Sequence, residues 1–523
     1  MKKILLPAVF ALLTSCVPAT ADLVPATYPE PIPVALPALD WELPSGATRE
    51  GDTLVAEIPA DRPNAVVMAV ATLDFSPFPQ HRIRLSVHAR GEGVGVPPVS
   101  YKGLKFMVKI EEESGALHWP GVPHREGDWE ADLELFCETS GMDVKSATLV
   151  LGIQECPGRV TFDLSTLRME DCGLTFPPVN GDYKVRYPES VRNSPRGRGV
   201  MLSTHLDRIT EEDFATLEAW GANLVRYQIA KDWKKVGGWE RNEDYDAYLN
   251  GALDILEQRI LPWAGSHGQR VVLDLHATPG ARNAKEENRM FYEKRYAEHY
   301  VRVWERIARR FQGDRRIYGY DLVNEPLQRG PAPYPCFDLQ KAAAEAIRAI
   351  DPDATIIVAA NGYGKPEGFK TLSPLAMDNV LYQTHSYMPA EYTHQGVFDG
   401  RREGFERYPN PGRGWDKETI RRSLAPALEF SRRHNARIFI GEFSAIAWAP
   451  GAEEYLRDSI EIFEEYGWDW CYHAFREWDG WSVEKRWTGT RNGYDVFEPD
   501  SDTVRRRVLL EGFRGTPIDT AKP

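Results

Sequence analysis

The chain has 523 residues, 42% of them hydrophobic, which is enough for two domains that each bury a core. Its formal net charge of -14 and sequence pI near 5.5 exclude the basic face that nucleic acid or anionic lipid requires, so a neutral partner is expected. The 15 Trp and 22 Tyr suit such a partner, because aromatic faces stack on sugar rings as readily as they fill cores.

The chain starts as an export signal over residues 1–21. Met1-Lys2-Lys3 is charged, and Ile4 to Leu13 is an apolar stretch too short to span a bilayer permanently. Leu13-Thr14-Ser15-Cys16 resembles a bacterial lipobox, which implies lipid on Cys16; the competing reading is cleavage after Ala19-Thr20-Ala21. The protein is then expected in the bacterial cell envelope or secreted, meeting a membrane only through that anchor. Residues 22–44 are Pro-rich and read as a semi-extended spacer.

Residues 45–182 read as an all-β sandwich. Runs of β type recur at Leu54 to Ile58, Asn64 to Thr72, Arg82 to Ala89, Leu104 to Ile110, Asp132 to Cys137, Ser146 to Gln154 and Gly158 to Leu164, separated by Gly, Pro and Asp turns. Val160 to Leu164 followed by Met169 to Leu174 resembles the closing stretch of carbohydrate-binding jelly-roll modules. Tyr101, Trp119 and Trp129 could line a sugar platform or fill a core. Any pair among Cys137, Cys156 and Cys172 could form a disulfide, given export.

From about residue 190 to 515 the pattern alternates strand and helix. Candidate strands are Gly199 to Ser203, Asn223 to Tyr227, Arg270 to Leu275, Ile317 to Val323, Thr355 to Ala360, Val380 to Thr384, Ala436 to Gly441 and Trp468 to Tyr472. Between them, Tyr245, Leu249, Leu253, Leu256 and Ile260 recur at helical spacing, as do Tyr300, Val303, Trp304, Ile307 and Phe311. This is the pattern of a (β/α)8 TIM barrel, whose active site lies at the C-terminal strand ends.

Two of those ends carry glutamates: Glu325 in Leu322-Val323-Asn324-Glu325-Pro326, and Glu442 in Ile438-Phe439-Ile440-Gly441-Glu442-Phe443. Two carboxyls at one mouth suit glycosidic cleavage, one protonated to release the leaving oxygen and one ionised to attack the sugar carbon. Burial and the second carboxylate are expected to raise Glu325, while Arg226 and Tyr387 keep Glu442 charged. Asp274, Asp321, Glu477 and Asp479 read as structural hydrogen-bonding partners. Neither Cys-x-x-Cys, His-Glu-x-x-His nor a calcium-loop spacing occurs, so no metal or cofactor is expected.

In chain order the strand ends give Val225-Arg226, Asp274-Leu275-His276, Asn324-Glu325-Pro326, His385-Ser386-Tyr387 and Gly441-Glu442. This series resembles glycoside hydrolase family 5, the cellulase-type retaining β-glycosidases, across the barrel half of the chain. The resemblance implies Glu325 as acid/base and Glu442 as nucleophile, with Arg226, His276, Asn324, His385 and Tyr387 in support. It implies a polysaccharide or oligosaccharide substrate, β-1,4-glucan first, with β-1,3-glucan and β-mannan as alternatives; a non-catalytic sugar-binding protein is the alternative of another class. The family usually closes strand eight with a tryptophan under the sugar, and here Phe475 or His473 stands where it is expected, with Trp478 following. The long segment from Tyr387 to Trp415 is expected to wall the cleft.

Overall fold

The computed structural model describes residues 23–515. The export-signal reading, Cys16 included, therefore lies outside the described residues. No helix among the described residues is long and apolar enough to cross a membrane.

The first domain is a sandwich of two antiparallel sheets. One holds six strands, in the order Ala47–Glu50, Thr53–Ile58, Gly158–Leu174, His81–Val94, Gly127–Glu138, with Ile32–Val34 also paired to Gly158–Leu174. The other runs Val66–Leu73, Val144–Gln154, Gly103–Glu112, Leu117–His118. Strict alternation builds the layer between them: Ile83, Leu85, Val87 and Ala89 are buried while Arg84, Ser86 and His88 between them stay partly open. Every strand expected in this domain forms, most of them longer than expected, while the one expected from Asn64 starts at Val66.

Two expectations for this half are corrected. The Pro-rich stretch is no free spacer. Ala26 N donates to Pro333 O of the second domain at 2.8 Å, Tyr28 exchanges two 3.1 Å bonds with Ala332, and Glu42 exchanges two backbone bonds with Val70. Prolines keep this backbone extended, but Val34, Leu36, Leu39 and Trp41 between them pack on the sandwich core, and removing those side chains from water holds the strap down. Nor do the cysteines bridge: Cys137, Cys156, Cys172, Cys336 and Cys471 are free thiols. Cys137 pairs with Ile83 and Ile83 with Asp171, which puts Cys172 two strands away, roughly 9–10 Å and beyond disulfide reach. Cys156 and Cys172 flank opposite ends of the 17-residue strand Gly158–Leu174.

The second domain is a closed barrel of eight parallel strands in sequence order: Arg198–Met201, Leu224–Gln228, Arg270–Asp274, Ile317–Asp321, Ile356–Ala359, Val380–Ser386, Arg437–Phe443 and Asp469–Tyr472. The eighth pairs with the first, Gly199 against Cys471. Met201, Leu224, Val272, Tyr318, Ile357, Leu381, Phe439 and Cys471 fill the barrel below its mouth. Helix Asn242–Ile255 continues through a π turn, Leu256–Ile260, and buries the Tyr245, Leu249, Leu253 side that the sequence periodicity marks. Helix Lys294–Phe311 does more than pack: Tyr300 Oη and Trp304 Nε1 both donate to Leu322 O, at 2.9 and 3.2 Å, and so fix the chain where strand four ends.

Candidate active site

Strand seven turns Glu442 into the mouth through a bulge. Thr384 faces Ile440 and His385 faces Glu442, so Gly441 has no partner in the ladder. A Cβ there would lie 1.9 Å from Gln383 Oε1, so any larger residue has to displace that buried amide. At the end of strand four Glu325 takes a left-handed backbone, φ 45°, unusual for a residue with a side chain. Arg282 Nη2 holds its carbonyl at 2.7 Å, and the carbonyl of Pro326 accepts from Gly362 N and Tyr363 N. Arg282 comes from the loop after strand three, where no motif marks it.

These devices bring the two glutamates together. An oxygen of each, together with His385 Nδ1, lies within 4.8 Å of the others. Facing oxygens this close put the two carboxyls on the side of the ~5–5.5 Å spacing of retaining enzymes rather than the ~6.5–9.5 Å that leaves room for a water in inverting ones. His385 Nδ1 stands 3.1 Å from Glu325 and 3.6 Å from Glu442. Both carboxylates only accept, so Nδ1 carries a proton.

Around Glu442 the charges are arranged in depth. Fully buried Arg226 gives Nη1 to Glu442 Oε1 at 2.9 Å, Nε to Asp321 at 2.9 Å and Nη2 to Asn324 Oδ1 at 3.0 Å, with Asp274 at 3.2 Å. Asp274 also orients His276 through Nδ1 at 2.7 Å, and His276 Nε2 accepts from Asn324 Nδ2 at 2.8 Å. Asp274 and Asp321 are the structural partners expected of them. The Tyr387 hydroxyl donates to Glu442 Oε2 at 3.0 Å. Burial alone would raise Glu442, but the positive charges of His385, His473 and Arg226 outweigh it and hold this carboxyl well below the ordinary range.

Glu325 departs from expectation. Burial and the Glu442 charge raise it, as expected, but the hydrogen bond and charge of His385, with Lys234 behind them, win and leave it lowered in the open cleft. The sequence could not show that one imidazole bridges both carboxyls.

The cleft over this mouth has a volume of about 950 Å³. His276, Glu325, His385, Tyr387, Glu442 and Trp478 line it, whereas Phe475 does not. Phe475 N bonds to Met201 O, and its ring packs edge-on against Trp220, 5.4 Å away on the helix after strand one, so it cannot floor the site. His473 stands at the strand-eight end instead, with Trp481 5.4 Å from its ring. The long segment after Tyr387 walls the cleft as expected, through Met388, His394, Phe398 and Arg401; its Tyr392, Tyr408 and Trp415 are buried beneath. Trp233, Lys234, His394 and Trp481 escaped sequence reading because each lies past a strand end in a loop whose course the pattern does not fix. Glu477, read as structural, does hold His473 but also lines the cleft. Asp479 lies outside, paired with Lys485.

A (β/α)8 barrel whose mouth carries two carboxyls this close, one ionised by a buried arginine and a tyrosine, is that of a retaining glycoside hydrolase. Residues 192–479 match the model of the cellulase family, glycosyl hydrolase family 5, and the chain belongs to it. It is 28% identical to "Endoglucanase C" of Acetivibrio thermocellus over 51% of this chain and 84% of that protein. "Cellodextrinase A" of Ruminococcus flavefaciens is 23% identical over 50% of this chain and 76% of its own. "Probable glucan 1,3-beta-glucosidase A" of Emericella nidulans is 25% identical over 46% and 55%.

Proposed function

We propose that this hydrolase cleaves β-1,4-glucan within the chain, with Glu442 as nucleophile and Glu325 as acid/base. The observation that carries the roles is the asymmetry of the pair: Glu442 meets Arg226 and the Tyr387 hydroxyl, and Glu325 meets neither. Glu442 attacks the anomeric carbon as the bond to the leaving oxygen breaks, and Glu325 gives that oxygen a proton. In the second step Glu325 takes a proton from water, whose oxygen displaces Glu442. A sugar that displaces water from the cleft desolvates the Glu325 carboxylate and so favours its protonated form, and His385 Nδ1 faces that carboxyl at 3.1 Å. Asn324 is placed for the sugar 2-hydroxyl, and His276 fixes its amide.

Action within the chain is supported by a second hollow of about 840 Å³ over the loops after strands one and two. It shares Thr204, Trp233 and Glu477 with the main cleft, so a polymer has room on both sides of the glutamates. The glucan assignment leans on the endoglucanase and cellodextrinase relatives and on the indoles of Trp233, Trp478 and Trp481 in the cleft lining, residues of the type that sugar rings pack against. β-1,3-glucan is the second reading, favoured by His276-Ala277-Thr278-Pro279-Gly280 and the glucosidase relative. Product analysis on β-1,4-glucan, β-1,3-glucan and β-mannan decides. Rapid loss of viscosity on the first with release of mixed oligomers is expected, and turnover of another polymer alone rejects the assignment.

We also propose export and a lipid on Cys16, from the apolar run that ends there. Cys16→Ala should abolish lipid labelling and free the protein from membranes at unchanged specific activity; an unlabelled wild type favours cleavage near Ala21.

A further inference from the structure

The strand-eight histidine lies on the same hydrogen-bond chain as Glu442, and donor and acceptor chemistry assigns every proton on it. Glu442 Oε2 and Glu477 Oε2 are carboxylate oxygens and can only accept. Tyr387 has a single hydroxyl proton, given to Glu442 over 3.0 Å, so its oxygen meets His473 Nδ1 at 2.9 Å as an acceptor, and Nδ1 carries hydrogen. His473 Nε2 faces Glu477 Oε2 at 3.3 Å and carries hydrogen too. Gln228 Nε2 steadies Glu477 from the other side at 3.3 Å and is itself held by Leu202 O. The ring at the floor of the cleft is therefore an imidazolium.

We propose that His473, fixed by Glu477, is a positioning residue for the nucleophile: it occupies the Tyr387 oxygen so that the tyrosine's only proton is committed to Glu442. This rests on Glu442 being the nucleophile. If His473 loses the Nδ1 proton, that nitrogen becomes an acceptor and competes with Glu442 for the Tyr387 hydrogen. Glu442 then loses one of its two fixed donors and its aim, and turnover falls on the alkaline side.

The groups facing His473 favour the charge. Glu477 comes from its own loop, Glu442 from strand seven, Glu325 from strand four and Tyr387 from strand six. Burial opposes the imidazolium, but the Glu477 hydrogen bond and these carboxylates outweigh it and raise His473 above its ordinary value. His394, whose ring lies 4.7 Å from that of Tyr387, is pushed down to about 4 by burial and by the His473 charge, so it stays neutral and does not replace His473.

The test is the pH profile of kcat and KM on 4-nitrophenyl β-cellobioside, with melting curves to certify folding. His473→Phe is expected to lower kcat about 10- to 100-fold with KM within about twofold, because the substrate loses no partner. His473→Gln keeps a donor for Tyr387 that does not titrate, so its kcat should stay within about tenfold of wild type and its alkaline limb should vanish. Glu477→Gln weakens the hold on the charge and should move that limb to lower pH. Tyr387→Phe breaks the chain at its centre, and adding His473→Gln to it should cost nothing further. Wild-type kcat and pH profile in folded His473→Phe, or fully additive losses in the double variant, would overturn the proposal. Should His473→Phe fail to fold, the limb in His473→Gln and Glu477→Gln decides alone. Glu442→Ala tests the underlying reading separately: if it stays active, the nucleophile assignment falls, and if it is dead while the His473 series matches wild type, only the positioning role does.

Discussion

The cations that each glutamate meets divide the work at the residue scale. With Glu325→Ala a sugar leaving group should react about 10²- to 10⁴-fold more slowly, since its alkoxide departs poorly without a proton. An aryl group of low pKa should be nearly spared in the first step, and azide, which needs no base, should speed the second and give a β-glycosyl azide, seen by NMR. An α-azide from Glu442→Ala with none from Glu325→Ala would reverse the roles. Arg226→Met leaves Glu442, Asp274 and Asp321 without the cation that all three contact, and breaking such a buried network costs about 3–5 kcal/mol, so a large fall in Tm is expected alongside lost activity. The sign for Glu442 follows from its lowered carboxyl. A group that binds its proton more weakly folded than unfolded adds stability that is complete above the ordinary carboxylate range and fades as pH falls below it. The Tm advantage of wild type over Glu442→Gln should therefore shrink between about pH 6 and about pH 3.

Elements aim these residues, and their devices explain what the sequence did and did not reveal. The strands were legible because parallel strands buried on both faces read as apolar runs, and the strand ends named Arg226, His276, Asn324, Glu325, His385, Tyr387 and Glu442 in order. Gly441 was visible, but its reason was not, since the bulge depends on Gln383 crossing from strand six. The sequence leaves Phe475 and His473 as rivals for the floor, because counting from a strand end assumes continued alternation. The chain leaves the sheet at His473, and Phe475 turns to Trp220. The strap over residues 26–44 was misread for a related reason: proline density signals extended backbone but is silent about whether the side chains between find a core. Gly441→Ala tests the bulge. Its Cβ must displace Gln383, overpacking of this kind costs about 1–3 kcal/mol, and Glu442 shifts with it. A drop in Tm with at least about tenfold lower kcat is expected, since misplacement near 1 Å costs about 10². Wild-type turnover would show that Glu442 is aimed by something else.

Across the whole molecule the sandwich is docked on the barrel beside the cleft. Tyr28 and Ala26 reach Pro333 and Ala332 after strand four, and Asp143 pairs with Lys370 at 2.8 Å in the segment after strand five. That segment begins with Tyr363, Lys365 and Pro366, which line the cleft. That exposed ion pair contributes little by itself, about 0–1 kcal/mol, so the contact depends on the strap and the packed loops around it. Deleting residues 23–174 uncovers both loops while leaving the strands that aim Glu325 and Glu442 intact. We therefore expect a lower Tm with kcat on short soluble oligosaccharides largely kept. Tyr101 and Trp119 are 73% and 52% exposed, so the same deletion should weaken action on insoluble glucan if they serve as a sugar platform, because loss of an attached site lowers effective concentration. Trp129 stands apart from that platform, its indole laid against Gly91 within the sandwich. The double variant Tyr101→Ala with Trp119→Ala separates the two effects, as it leaves the docking loops untouched. Reduced retention on insoluble glucan at an unchanged Tm supports binding by the module. Unchanged retention, with the deletion still lowering Tm, makes the sandwich a structural brace for the cleft wall.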